Sequence, residues 1–310
     1  MSRLDLSGAL IHSCRVTRLL TPLVVCLLAT PAGAQTAQST ARSSIDRASA
    51  AVYPSLVRIS VVVSESQNGR EINVEASGSG TIISADGYVV TNHHVAGRAK
   101  RIICTLADRQ EVPADLVGTD PLSDITVLKL HPATPRKFPV ARFGDSSTVR
   151  RGDQVLAMGS PRALSQSVTL GVASNTEMTM PGRSTLELDG EDVGSLVRWI
   201  GHDAAIYPGN SGGPLVNLAG EIIGVNEISL GLSGAIPGNL VKQVTDAIIR
   251  EGRVRRSWPG IDVQPTVGLN VKAGALVSWV ASGSPAAAAG LQAGDVLLKV
   301  NSLTTDAQFA

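Results

Sequence analysis

The stretch Gly209-Asn210-Ser211-Gly212-Gly213-Pro214 sets one serine inside a run of small residues, after a loop from Asp203 to Pro208. Glycine beside a serine lets the backbone turn sharply and approach another group closely. A serine so mounted can act as a nucleophile. The N–H groups of Gly209 and Ser211 can then hold the oxyanion that its attack creates, with Asn210 shaping the turn. Glycine-rich turns are also common where no chemistry occurs, so the rest of the chain has to decide.

A serine hydroxyl is a poor nucleophile near neutral pH. It needs a histidine to take its proton and a carboxylate to hold that histidine in one tautomer. Beyond the N-terminal segment the histidines are His93, His94, His131 and His202. His131, before Pro132, reads as a surface loop residue, and His202 as part of the loop entering the serine turn. His93 and His94 follow a strand-like run, Tyr88–Thr91. Neighbours at a strand end point to opposite faces, so one of the two can face a serine. Asp124 opens the apolar run that ends at Leu130, whereas Asp120, before Pro121, is the more turn-like aspartate.

The chain has 310 residues, enough for about two domains, and 43% of them are hydrophobic but only 3% aromatic. The core must therefore be built from Val, Ile, Leu and Ala. A net charge of +1 argues against nucleic-acid binding, which calls for a basic surplus. At the N-terminus, Arg3, Arg15 and Arg18 precede the apolar run Leu19–Ala29, and Ala32-Gly33-Ala34 supplies small residues at both ends of a triplet. This pattern predicts an export signal, residues 1–34, cleaved after Ala34 and directing the chain to the periplasm or another exported location. The run is short for a membrane anchor, which takes about 20 residues. Cleavage removes three arginines and Asp5 from 27 basic and 26 acidic residues, leaving a net charge of −1. It also leaves Cys104 as the single cysteine, which precludes an intramolecular disulfide and reads as a buried strand residue in Arg101–Leu106.

Residues 35–44 read as a flexible leader, followed by a short helix from Ile45 to Ala51. From Val57 onward apolar residues alternate with polar ones, and short strand-like runs recur up to residue 236. Asp86-Gly87, Arg151-Gly152-Asp153 and Ala219-Gly220 are among the turns between them. Many short strands with little helix predict an all-β barrel or sandwich. Asn239 is placed to cap a helix through Arg250, with Gly252 stopping it. Arg253-Val254-Arg255-Arg256 reads as a solvated basic hinge. A smaller unit begins at Trp258, with strands at Gly274–Val280 and Val296–Val300 around a short helix at Pro285–Ala289. It is short for an independent domain.

The order His, Asp, Ser on an all-β pattern is that of chymotrypsin-like double-barrel proteases, and not of subtilisins or α/β-hydrolases. The chain resembles the HtrA/Deg family of trypsin-fold serine proteases, which carry a protease domain followed by PDZ domains. The matching segments are Gly78–Ile83, Gly87–Val95, Asp120–Ile125, Gly159-Ser160-Pro161, Asp203–Ile206, Gly209–Pro214 and Ala235-Ile236-Pro237. The resemblance implies a double six-stranded β-barrel protease domain over 51–252, a linker over 253–257 and a partial PDZ domain over 258–310. In its pattern the histidine directly before the valine is catalytic, which selects His94. Asp124 and Ser211 fall on the other two positions of the triad.

It further implies that Gly209, Asn210 and Ser211 form the oxyanion turn, and that Ala205, Ser233, Gly234 and Ala235 form the substrate pocket. Ala205, six residues before the serine, brings no carboxylate. Small or medium apolar side chains are therefore expected at the cleavage site. Such residues are buried in folded substrates, so unfolded or misfolded proteins are the expected substrates. The segment Asn226–Leu232, which leads into the pocket, is short for the pattern. Trp258-Pro259-Gly260-Ile261 occupies the carboxylate-binding loop of the PDZ unit, where C-terminal peptides would bind. Pro259 contributes no N–H there.

A homotrimer would assemble through the region of Tyr53, a residue that reads equally well as a core aromatic. No cofactor or metal is implied, because the histidines lack zincin-like spacing. Asn210 brings no carboxylate to pair with a new N-terminus, so loop ordering is the expected form of control. A non-proteolytic chaperone or a PDZ-type peptide sensor is the alternative function.

Overall fold

The computed structural model describes residues 32–67, 69–160, 167–179, 186–188, 191–266 and 274–305. Most of the expected export signal lies outside these residues, as do Pro161 and the chain end from residue 306. The first element is a helix, α1 (Ala32–Val52). Residues 35–44, expected as a flexible leader, are therefore helical. Between Gly33 and Pro54 the chain has neither glycine nor proline and is rich in alanine, the strongest helix former. The end of α1 buries Ala48 and Val52 against Leu156, Met158, Val216 and Ile222, with Tyr53 half-buried beside them. Tyr53 is thus a packed aromatic, and burial raises the pKa of its phenol.

Six strands form the first closed barrel. They are β1 (Leu56–Gln67), β2 (Arg70–Ile82), β3 (Tyr88–Thr91), β4 (Arg101–Thr105), β5 (Glu111–Asp120) and β6 (Ile125–Leu130), in the order β1-β2-β3-β6-β5-β4. The alternation seen in the sequence decides their faces. Val57, Ile59 and Val61 point inward with Val89, Cys104, Leu128 and Leu130, while Arg58 and Ser60 face outward. Cys104 is fully buried, and burial pushes its thiol pKa up to about 12. It is a core residue with no available thiolate.

The second barrel follows with β7 (Arg142–Phe143), β8 (Gln154–Gly159) and β9 (Ser167–Met178). After a separate hairpin of β10 (Leu186–Leu188) and β11 (Glu191–Val193), it continues with β12 (Trp199–His202), β13 (Pro214–Asn217), β14 (Glu221–Leu230) and β15 (Leu232–Pro237). The order β13-β8-β9-β12-β15-β14 is closed by β13–β14 pairing, and β7 adds in parallel to β14. The segment that is short for the pattern is a tight hairpin, with Gly231 alone between β14 and β15.

Helix α3 (Gly238–Glu251) lies across the two barrels. Its Val241, Val244 and Ile248 join Val90, Ile125 and Val127 of the first barrel to Trp199, Val225 and Ile236 of the second. Pro237 takes the position before the helix that was expected for Asn239. The Asn239 side chain instead bonds Asp145 and the Ser146 N–H. The basic segment after α3 is not simply solvated, because Arg256 pairs with the buried Asp120 at the end of β5.

The smaller unit has a three-stranded sheet of β16 (Ile261–Pro265), β17 (Ala275–Val280) and β18 (Val296–Leu297). A one-turn helix, α4 (Pro285–Ala288), is capped by Ser284. The expected last strand is divided into β18 and β19 (Lys299–Val300), which pairs with β20 (Leu303–Thr304).

Candidate active site

The site lies between the barrels, where β3 and β6 of the first meet the serine turn of the second. At Asn92 the chain leaves β3 for a single helical turn, α2 (His93–Ala96). The two histidines therefore sit on a helical turn, about 100° apart, and not on opposite faces of a strand as expected. His93 points into the first barrel and meets Thr119 Oγ1 at 2.8 Å. His94 is half-buried, and its Nδ1 lies 2.7 Å from Asp124 Oδ2.

Asp124 is fully buried and sits in the left-handed region, φ 52° and ψ 38°. Aspartate tolerates this better than most side chains. Its N–H donates to the Pro121 carbonyl, and four further bonds fix it there. Its carbonyl accepts from the His93 N–H and from Asn92 Nδ2, and its carboxylate accepts from the His94 N–H (2.9 Å) and the His94 ring. Several independent contacts of this kind hold a sparsely populated backbone conformation in place.

Ser211 follows β12 and the 203–208 loop, and its turn is stapled to the first barrel. The Ser79 N–H donates to the Ser211 carbonyl (2.8 Å), and Ser79 Oγ donates to the Gly209 carbonyl (2.6 Å). Gly212 has φ 82°, and a Cβ there would sit 2.2 Å from the Ser79 carbonyl oxygen and 2.3 Å from Thr91 Oγ1. Only glycine brings the serine turn this close to Thr91, at the end of the strand that leads into the turn carrying His94. Asn210 is buried and bonded through its N–H to the Tyr207 carbonyl. Among the described residues the N–H groups of Gly209 and Ser211 have no acceptor, which leaves them to donate elsewhere. Ser211 Oγ donates to the backbone carbonyl of Glu227 at 3.2 Å, and among the described residues no hydrogen bond joins it to His94.

Of the expected pocket residues, only Ala205 is exposed. Ser233, Gly234 and Ala235 are buried in β15. Ser233 Oγ bonds the Ala204 carbonyl, and Ala235 packs into the second barrel core with Ile200 and Leu215. The short hairpin explains this, because with one turn residue β15 stays paired with β14 along its length.

His202, expected in a loop, is a fully buried end residue of β12. Neither ring nitrogen makes a hydrogen bond of good geometry among the described residues, although the Ala204 backbone and Asn226 lie nearby. Burial therefore lowers its pKa to about 4, only partly opposed by the Ala204 backbone, Asp203 and Asn226. Its folded pKa lies below the unfolded value of about 6.5, so the unfolded state binds more protons in between. Stability is complete above pH 6.5 and falls as pH drops toward 4, by about 3 kcal/mol in total. Denaturant melts across this window should show His202→Gln lacking that part of the acid slope. Parallel curves would exclude this account.

Sequence reading missed Glu227, a buried carboxylate beside Asp124. The signal was a glutamate continuing the apolar strand Ile222-Ile223-Gly224-Val225.

Comparisons with known proteins agree with this geometry. A trypsin-like peptidase domain model matches residues 78–225, and a PDZ domain model matches residues 276–308. A probable periplasmic serine endoprotease DegP-like from Pseudomonas putida (strain GB-1) is 41% identical over 246 residues, covering 75% of this chain and 49% of that protein. One from Brucella suis biovar 1 (strain 1330) is 41% identical over 245 residues, 74% and 45% of the two chains. This chain thus spans about half the length of these relatives. Among solved structures, the HtrA-type protease AlgW with tripeptide is 36% identical with a TM-score of 0.67, covering 84% of this chain and 83% of that one. A serine endoprotease from Yersinia pestis is 34% identical with a TM-score of 0.62, covering 86% and 84%.

Proposed function

We infer the function from the premise that the chain belongs to the HtrA-type family of serine proteases. It is a serine endopeptidase that cleaves unfolded or misfolded proteins. The observation that carries this reading is the buried Asp124 carboxylate, bound to both the backbone N–H and the ring of His94 beside the Ser211 turn. Asp124 holds His94 Nδ1 protonated and leaves Nε2 free to take the Ser211 proton. Ser211 Oγ attacks the peptide carbonyl, and the Gly209 and Ser211 N–H groups stabilise the oxyanion. His94 then protonates the leaving amine, and water completes the cycle by the same route.

Ala205 supplies an uncharged pocket base, so apolar side chains are the preferred ones at the cut. The named relatives are described as probable periplasmic enzymes, which supports export of this chain; the cleavage after Ala34 rests on the Ala32-Gly33-Ala34 triplet. The smaller unit supports binding of C-terminal peptides, and a homotrimer remains the assembly to test. The domain limits proposed are 1–34, 51–252, 253–257 and 258–310.

A second reading, a non-proteolytic binding protein, is favoured by two observations: the Ser211 hydroxyl faces the Glu227 carbonyl, and three of the four expected pocket residues are buried. On the first reading this is a resting arrangement that substrate reorders. A fluorophosphonate probe, with casein digestion and mass spectrometry of the cuts, separates the two. Labelling at Ser211 and cuts after small or medium apolar residues are expected. No adduct in the presence of denatured casein would favour the second reading.

A further inference from the structure

Glu227 stands in a β-bulge. Asn226 pairs with Ala235 and Ile228 with Gly234, which leaves Glu227 without a cross-strand partner. A bulge re-aims a side chain, and here Asn226 and Glu227 are both buried although they are consecutive in a strand. The Glu227 carboxyl accepts a hydrogen bond from Trp199 Nε1, and it lies within hydrogen-bonding reach of the Asp124 carboxyl. Room for it comes from Gly194, where a Cβ would lie 2.7 Å from Glu227 Oε1.

Two ionised carboxylates have only acceptors to offer each other, so a hydrogen bond between them requires a proton on one. Both Asp124 oxygens already face N–H donors of His94, one the backbone N–H and the other the ring, so neither is placed to carry the shared proton. Glu227 accepts only the indole N–H and is buried against that charge. Burial first, then Asp124, raises its pKa well above 4.5.

We propose that Glu227 is a positioning residue of the triad: its carboxyl carries the proton shared by the two acids and donates a hydrogen bond to Asp124, fixing the carboxylate that holds His94. This rests on the reading of Ser211, His94 and Asp124 given above. Among the described residues, Asp124 is the charged group that acts on Glu227, and no cation faces it. An O–H donor to a carboxylate makes one of the stronger hydrogen bonds in proteins. The arrangement has an alkaline limit, because once Glu227 ionises two carboxylates meet behind His94 and repel.

The test compares the full chain with Glu227→Gln and Glu227→Ala. Glutamine keeps a donor for Asp124 and an acceptor for Trp199 but cannot ionise. Its kcat at pH 7 should stay within about threefold of wild type, and the alkaline decline of kcat should disappear. Alanine should lower kcat by about 10- to 100-fold with KM little changed, the loss expected when a buried partner is removed.

A readout independent of activity comes from thermal stability. The folded pKa of Glu227 lies above its unfolded value, so wild type loses stability as pH rises from about 4.5 toward the folded pKa. The melting temperature of Glu227→Gln should therefore gain on wild type between pH 5 and 8. In an Asp124→Asn background that gain should shrink, because the opposing charge is gone. A melting-temperature difference that is flat with pH would overturn the proposal, and so would a Gln variant as inactive as the Ala variant. If the probe fails to label Ser211, the proteolytic reading falls, while the stability comparison still reports on the Glu227 proton.

Discussion

Replacing Ser211 by alanine is expected to lower kcat for peptide hydrolysis by about a million-fold, the loss seen when the nucleophile of a triad is removed. The loss should appear in kcat and not in KM. On the proposed mechanism the oxyanion donors are backbone N–H groups of Gly209 and residue 211, and an alanine keeps both. A residual rate of about 10³- to 10⁴-fold over the uncatalysed reaction should survive from those donors and from binding. The fold should survive too. In the structure the Ser211 hydroxyl makes one hydrogen bond, at 3.2 Å to the Glu227 carbonyl, and the turn is held instead through Gly212 and the Ser79 bonds. The stability change should therefore stay within about 1 kcal/mol. The check is steady-state kinetics on an apolar peptide substrate, with thermal melts of both proteins. Casein digestion by the variant within tenfold of wild type would mean that Ser211 is not the nucleophile.

The two-barrel fold was legible because its strands obey a rule that sequence displays directly. Val57, Ile59 and Val61 alternate with outward residues, and glycines mark the turns between runs. The candidate site was legible for a different reason, since the chemistry of a serine nucleophile restricts which residue types can stand beside it. Nothing in the spacing from His94 to Asp124 to Ser211 shows that they meet. The closure of two barrels brings them together, and that information lies in pairings far apart in the chain.

What stayed hidden was hidden by local exceptions to periodicity. A helical turn replaced the strand end at His93 and His94, so the argument that only one of them could face the serine rested on the wrong geometry, and the choice of His94 came from the resemblance alone. The bulge at Glu227 broke the alternation of β14 and turned inward a carboxylate that alternation would place on the other face. Arg256 looked like one of several solvated arginines, because its partner Asp120 is far away in sequence. The length of α1 went unread because the polar run 35–44 has the composition of a loose leader, whereas the absence of glycine and proline through that run was the better guide. The burial of Ser233, Gly234 and Ala235 went unread because a one-residue turn between β14 and β15 cannot be told by eye from a short open loop.

Asp124→Asn is the second large effect expected, about 10⁴-fold in kcat. The backbone should accept the change, since asparagine occupies the left-handed region as readily as aspartate does. The hydrogen bonds should not. Asp124 offers two acceptor oxygens, one to the His94 N–H and one to His94 Nδ1. Asparagine offers one oxygen and one NH₂. If the oxygen keeps the backbone N–H, the NH₂ faces Nδ1 and forces the ring to carry its proton on Nε2, where it can no longer accept from Ser211. If the oxygen keeps Nδ1, a donor meets a donor at the backbone. On the proposal above, the Glu227 acid also seeks that oxygen, so three donors compete for one acceptor. The variant should therefore lose kcat at pH 7 and also label more slowly with the fluorophosphonate probe, which needs the same activated serine. A kcat within tenfold of wild type would show that Asp124 does not set the His94 tautomer, and the buried carboxylate pair would then have to be read as packing alone.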